Sequence, residues 1–336
     1  MNALVHSARG AAAAPAGLDL DTYTDSAAMR ALLQAHLPGF SDGRLRIDTL
    51  SVRKARRNAS LHRNPCPITL CYELHCRDLV HGHAGTQLLY AQVFRAGLAQ
   101  AFYRQQDRHH LLPPAFGQAL VHVAELNMVV WALPNDPGLP QLAMLLDPAR
   151  AAGALPWTGL SQSLGVARAD IASVNVELLR YEPECRATLH YTLARVDGSE
   201  PCVLYAKTFR NGQAGDIHQR FEHFWQLAQT DAEAPSVAQP LGYDPATRTQ
   251  WQAPARGTPL LQALAAHNGM ATMAQVARAL ARLHAAPLSP SAGETPRSVA
   301  HWVAEARRRQ KKISRAHPAL ATRAAAWATA ASATAT

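Results

Sequence analysis

Lys207 stands near the end of the run Cys202-Val203-Leu204-Tyr205-Ala206-Lys207-Thr208-Phe209-Arg210. An ammonium set among apolar and β-branched neighbours needs an anion to offset the water it gives up. Gly198-Ser199-Glu200-Pro201 before the run and Asn211-Gly212 after it supply turns, so the run reads as a strand. Alternation then puts Val203, Tyr205, Lys207 and Phe209 on one face, with Cys202, Leu204, Ala206 and Thr208 on the other. Two anions could meet the ammonium: the phosphate oxygens of a bound nucleotide, or a carboxylate on the following helix. Ile217, Phe221, Phe224, Trp225 and Ala228 recur at helical spacing between positions 214 and 230. Glu222, fifteen residues beyond Lys207, is the one carboxylate in the middle of that helix. The alternative is a lysine that snorkels at a strand end and a glutamate that is simply solvated.

Other elements frame this strand and helix. Positions 174–181 and 186–193 alternate as two strands joined by Glu182-Pro183-Glu184-Cys185, a hairpin leading into the lysine strand. Positions 240–244 and 249–254 suggest two more strands, followed by a linker at Ala255-Arg256-Gly257. Thr258 and Pro259 form an N-cap and first-turn pair before a short helix. Met270, Met273, Val276, Ala277, Leu280 and Leu283 then mark one apolar face of a longer helix.

In this order the hairpin LRYEPECRATLHYTL, the strand LYAKTF and the helix VARALARLHAAP resemble the aminoglycoside phosphotransferase family, which includes choline-kinase-like and other small-molecule kinases. The resemblance spans roughly residues 165 to 290. It implies a protein-kinase-like fold in which ATP lies between two lobes and its terminal phosphoryl group passes to a hydroxyl of a small-molecule acceptor. It further implies that Lys207 and Glu222 form an ion pair orienting the phosphates, and that the backbone at Gln252, Ala253 and Ala255 meets adenine. Magnesium would bridge the phosphates.

A second copy of the pattern lies upstream. Leu89-Tyr90-Ala91-Gln92-Val93-Phe94-Arg95 matches Leu204-Tyr205-Ala206-Lys207-Thr208-Phe209-Arg210 at an offset of 115 residues. Ile68-Thr69-Leu70-Cys71-Tyr72-Glu73-Leu74 corresponds to the strand ending Tyr191-Thr192-Leu193, and Trp131-Ala132-Leu133-Pro134 to Trp251-Gln252-Ala253-Pro254. Gln92 replaces the lysine, and an amide cannot neutralise phosphate, so this copy is expected to serve as a structural or interaction lobe.

Phosphoryl transfer needs one carboxylate for the attacking hydroxyl and another for magnesium. In the resembled family these follow the LARLHAAP helix, in a His-x-Asp-x-x-x-x-Asn loop and at a later aspartate. Here no aspartate follows Asp244, the last carboxylates are Glu294 and Glu305, and the final nine residues are all Ala, Thr or Ser. The expectation is a chain truncated before its catalytic loop, with no catalytic or metal-binding residues. It would then be a phosphotransferase relative that is inactive as it stands or, alternatively, a pseudokinase or interaction module that binds a nucleotide or a protein partner.

Composition narrows the remaining classes. The formal charge of +9 is concentrated at positions 297–323, where eight Lys and Arg face Glu305 alone and Trp302 is the one interleaved Phe, Trp or Tyr that could stack on a base. This reads as a solvated helix face rather than a nucleic-acid site, and Arg53-Lys54-Ala55-Arg56-Arg57 reads as a second basic cluster in a hairpin loop. No run reaches the roughly 18 apolar residues of a membrane span. Five cysteines without a CxxC pair point to reduced thiols in a cytoplasmic protein. His81-Gly82-His83 and His109-His110 read as surface histidines rather than metal ligands.

The expected class is α+β: a protein-kinase-like N-lobe of antiparallel sheet plus helix, duplicated, then an incomplete helical C-lobe. The expected division is a disordered tail at 1–25, a degenerate lobe at 26–150, a nucleotide-binding lobe at 151–257, a partial helical lobe at 258–327 and a low-complexity tail at 328–336. The underside of the second sheet is expected to expose an apolar patch that promotes self-association.

Overall fold

Asp25 accepts hydrogen bonds from the Ala27 and Ala28 N–H groups, each at 3.0 Å, and so caps the second of the two opening helices. These are α1 (Leu20–Thr24) and α2 (Ser26–His36). The computed structural model describes residues 19–57, 66, 68–95, 97–231, 234, 236–266, 269–285, 298–316 and 318–333. Most of the expected N-terminal tail lies outside this range. Its last residues are nevertheless helical, and Tyr23 is buried at 2% exposure, so the first lobe begins at α1 rather than at residue 26.

The first sheet comprises β1 (Leu45–Arg57), β2 (Ile68–Asp78), β3 (Ala84–Val93), β4 (Leu120–Val123) and β5 (Met128–Ala132), with α3 (Leu98–Arg104) between β3 and β4. All strand pairs are antiparallel, in the order β1-β2-β3-β5-β4. The helices α1 and α2 cover one face, packing Met29 and Leu33 against Leu70, Tyr72 and Leu74. On the other face Tyr90, Phe94 and Trp131 pack with Phe102 of α3. The basic run 53–57 is not a loop: it is the end of β1, where Arg53 reaches Glu73 at 3.1 Å and Lys54 pairs with Glu182.

The second sheet repeats this plan. Three helices, α4 (Leu142–Leu145), α5 (Pro148–Ala154) and α6 (Trp157–Leu164), precede β6 (Ile171–Glu182), β7 (Arg186–Arg195) and β8 (Cys202–Phe209). Then come α7 (Gln213–Thr230), β9 (Pro240–Asp244) and β10 (Thr249–Gln252), in the strand order β6-β7-β8-β10-β9. Leu142, Leu145 and Leu160 pack on the face bearing Leu189, Tyr191, Leu204 and Trp251. Each such side chain, removed wholly from water, contributes about 1.5–3 kcal/mol. Because α4 already belongs to this core, the second lobe starts before residue 142 and not at 151.

Register makes the repetition concrete. Leu70 lies opposite Ala91, and Leu189 opposite Ala206, which equates Tyr72 with Tyr191. Both tyrosines donate to a backbone carbonyl of the helices beneath: Tyr72 to Tyr23 at 2.8 Å and Tyr191 to Leu145 at 2.6 Å. The tryptophans do not correspond. Trp131 lies opposite Tyr90 whereas Trp251 lies opposite Ala206, one position apart along the matched strands. A slip of one residue reverses the face, so Trp131 packs with α3 while Trp251 enters the core above α4–α6.

Two helices follow the second sheet, α8 (Leu260–Ala266) and α9 (Gly269–Ala285). The apolar face expected along α9 is present but uncovered, with Met270 81% exposed and Leu280 48%. A separate compact unit, 285–336, contains α10 (Val299–Ala316) and α11 (Ala321–Ala333), where Ala324 is buried. Helix thus continues to Ala333, well into the expected low-complexity tail. The molecule is α+β, with two antiparallel five-stranded sheets and eleven α-helices among the described residues. No described helix is long and apolar enough to cross a membrane.

The two halves meet where Gly138 lies against the tip of the β6–β7 hairpin. A Cβ at this glycine would fall 2.5 Å from Glu184 Cα and 3.1 Å from its carbonyl carbon. Gly138→Ala is therefore expected to cost about 1–3 kcal/mol in urea unfolding. Gly153→Ala, on α5, would meet open space and should be neutral or stabilising. Equal midpoints for the two variants would contradict this seating of the hairpin.

Candidate functional site

Lys207 lies on β8 between Thr188 of β7 and Gln250 of β10. Cross-strand partners share a face, so His190, Tyr205 and Gln252 stand on the same side as the lysine. The N-terminal half of α7 covers the neighbouring part of that face, where Tyr243 approaches Gly215 and its ring lies 6.0 Å from that of His218. Thr188, His190, Lys207, Gln250 and Gln252 give this face polar positions beside Val203, Tyr205 and Phe209, and the exposed large apolar side chains among the described residues include Leu179 of β6 and Ile217 of α7 as well as those of α8 and α9.

The expected ion pair between Lys207 and Glu222 is not formed. Ala214, His218 and Phe224 are the buried residues of α7, a rotation that leaves Glu222 half exposed and pairs it with His218 Nε2 at 3.3 Å. Among the described residues Lys207 meets no carboxylate. Partial burial, and secondarily the nearby Arg186 guanidinium, hold its ammonium below the ordinary lysine value of 10.5. Arg186 itself reaches Glu182 Oε2 at 3.2 Å. It went unremarked in the sequence, although alternation along the 186–193 strand places Arg186, Thr188 and His190 on one face. The amide oxygens of Gln250 and Gln252 are buried without a hydrogen-bond donor.

The matching position in the first sheet is filled. Gln92 lies opposite Thr69 and Val129 as Lys207 lies opposite Thr188 and Gln250. Its Nε2 donates to Glu184 Oε1 at 3.0 Å, from the turn of the second sheet's own hairpin. Glu184 has φ +56°, in the left-handed region, and its N–H donates to Asp136 Oδ2 at 2.8 Å. Tyr181 donates to the same oxygen at 2.7 Å, and the Gly138 N–H to Asp136 Oδ1 at 2.7 Å. Burial raises the Asp136 pKa, and these hydrogen bonds oppose the rise. Neither Asp136 nor Glu184 stood out in the sequence, because the contact joins residues 92 and 184 across the two copies.

The linker residues divide. Gln252 is buried, Ala253 belongs to the core and spends its N–H on the Gln239 carbonyl at 2.9 Å, and Ala255 is exposed. None of the five cysteines is joined in a disulfide. His81 contacts Asp78 at 2.8 Å and His110 contacts Asp107 at 3.9 Å. Among the described residues no group of three or more His, Cys, Asp or Glu side chains converges to hold a metal. Comparison with protein-family models, curated proteins and solved structures returns no match.

What the arrangement can do chemically is receive an anion. The depressed pKa of Lys207 also has a stability consequence whose sign is definite. Between its folded value and 10.5, the unfolded chain holds a proton that the folded chain has released, so stability from this group rises with pH across that interval. Lys207→Met should therefore raise the melting temperature at pH 7, and the gain should shrink as pH climbs into the lysine range. A variant less stable than the parent at pH 7 would show that the ammonium already has a partner.

Proposed function

We propose that this chain binds a nucleotide on the Lys207 face of its second sheet, as a relative of ATP-dependent small-molecule phosphotransferases that does not itself turn ATP over. The observation that carries this reading is a half-buried ammonium, beside a second cation, with no anion among the described residues. The matched position in the first copy supports it: there the side chain already contacts a carboxylate. In this reading Lys207 contacts phosphate and Arg186 adds to the field. Gln252, whose amide oxygen lacks a donor, accepts from the exocyclic amino group of the base, and the linker through Ala253 and Ala255 borders the base. Glu222, paired with His218, orients nothing until α7 rotates. The acceptor of the family reaction has no counterpart residue to argue from. No proton-transfer or metal-assisted step is assigned, because no aspartate follows Asp244 in these 336 residues.

A second reading has the Gln92–Glu184 contact in its favour: the Lys207 seat receives an acidic turn from a protein partner, as the first sheet receives Glu184.

Calorimetric titration with ATP and magnesium should give saturable binding that Lys207→Ala weakens at least tenfold, about 1.4 kcal/mol, while phosphate release stays at background. Binding unchanged by Lys207→Ala would remove the nucleotide reading. Magnesium-dependent turnover abolished by that substitution would overturn the inert assignment.

A further inference from the structure

A cavity of about 740 Å³ opens between the first sheet and β6 of the second. Its size falls within the roughly 300–1,000 Å³ of small-molecule sites, which favour such junctions. Its apolar lining includes Leu88 and Leu133 from the first half and Leu178 and Leu179 from the second. Its rim is charged, and the charges do not cancel. Glu73 is neutralised by Arg53 at 3.1 Å and Glu182 by Lys54, which leaves Arg180 in excess. Arg180 pairs with no carboxylate among the described residues, and it stands on β6 opposite Thr188. Burial pushes the Cys71 thiol in the wall up to about 12, so it adds no negative charge near neutrality.

We propose that this cleft binds an amphipathic monoanion, a small molecule with an apolar body lying on Leu88, Leu133 and Leu178 and a single carboxylate, sulfonate or comparable group at Arg180. An apolar molecule without the anion would leave Arg180 unused, and a polyanion would meet Glu73 and Glu182. The site differs from the nucleotide seat in its lining, which both halves supply and which does not include Lys207, although Arg180 stands in the same cross-strand row as Thr188 and Lys207, two strands from the lysine.

Naphthalene-2-carboxylate and its uncharged analogue naphthalene-2-carboxamide test the assignment by calorimetry on the full chain. The carboxylate should bind one per chain, about tenfold or more tighter than the amide, as expected of a charge-assisted contact to a guanidinium. Arg180→Gln, at an exposed position, should abolish that preference, and Leu88→Glu should abolish binding of both probes. Lys207→Ala should change neither. Absence of saturable binding, equal affinity for the two probes in the parent chain, or a preference lost in Lys207→Ala but kept in Arg180→Gln would each overturn the proposal.

Discussion

Taking part of an ammonium out of water without a counter-ion costs free energy that an arriving anion returns, and Lys207 on the second sheet is half-buried with no carboxylate against it among the described residues. The cost persists because the surrounding sheet over-determines it. Thr188 and Gln250 flank the lysine in a fully paired ladder, and Leu204, Ala206 and Thr208 anchor the opposite side of the same strand in a close-packed core. The strand cannot turn the lysine outward without turning three buried residues with it. An imbalance held in place by a rigid core is what a binding site requires, since little reorganisation is left to be done when the ligand arrives.

The first half shows the same architecture with the imbalance removed. Gln92 carries no charge, and its amide is satisfied by Glu184 of the neighbouring hairpin, which Asp136 and Gly138 hold in place. One position on two duplicated strands thus has two fates. In the first sheet it joins the halves of the molecule, and in the second it carries a half-buried ammonium with no carboxylate against it among the described residues. The paired tyrosines, Tyr72 and Tyr191, mark what the copies kept: a hydrogen bond that fastens each sheet to the helices beneath it. The tryptophans mark what drifted, since a one-residue offset sends Trp131 and Trp251 to opposite faces.

Much of the fold was legible in the residues because its signals are local. Alternation bounded by Gly, Pro and Asn located the β6–β7 hairpin, β8 and β10, and the apolar spacing of α7 set its limits within a residue. The echo around Gln92 and Lys207 exposed the duplication, which the shared strand order bears out. What could not be read was the rotation of α7. Spacing of fifteen residues puts Glu222 on the right helix, but whether it turns toward the sheet depends on which residues bury, and His218 and Phe224 take that place. The basic end of β1 misled for a related reason: Arg53 and Lys54 look like a loop until Glu73 and Glu182 arrive from other strands to pair with them. Contacts between residues far apart in the chain, such as Gln92 with Glu184, leave no local pattern at all.

The most direct measurement of the central claim is the titration of Lys207 itself, followed by the side-chain nitrogen and ε-carbon resonances of isotope-labelled lysine with Lys207→Ala as the assignment control. The account predicts a pKa below 10.5 in the free protein that rises when ATP is added. An ordinary value that ATP does not move would mean that the ammonium is already solvated or paired, and the second sheet would hold no open anion seat.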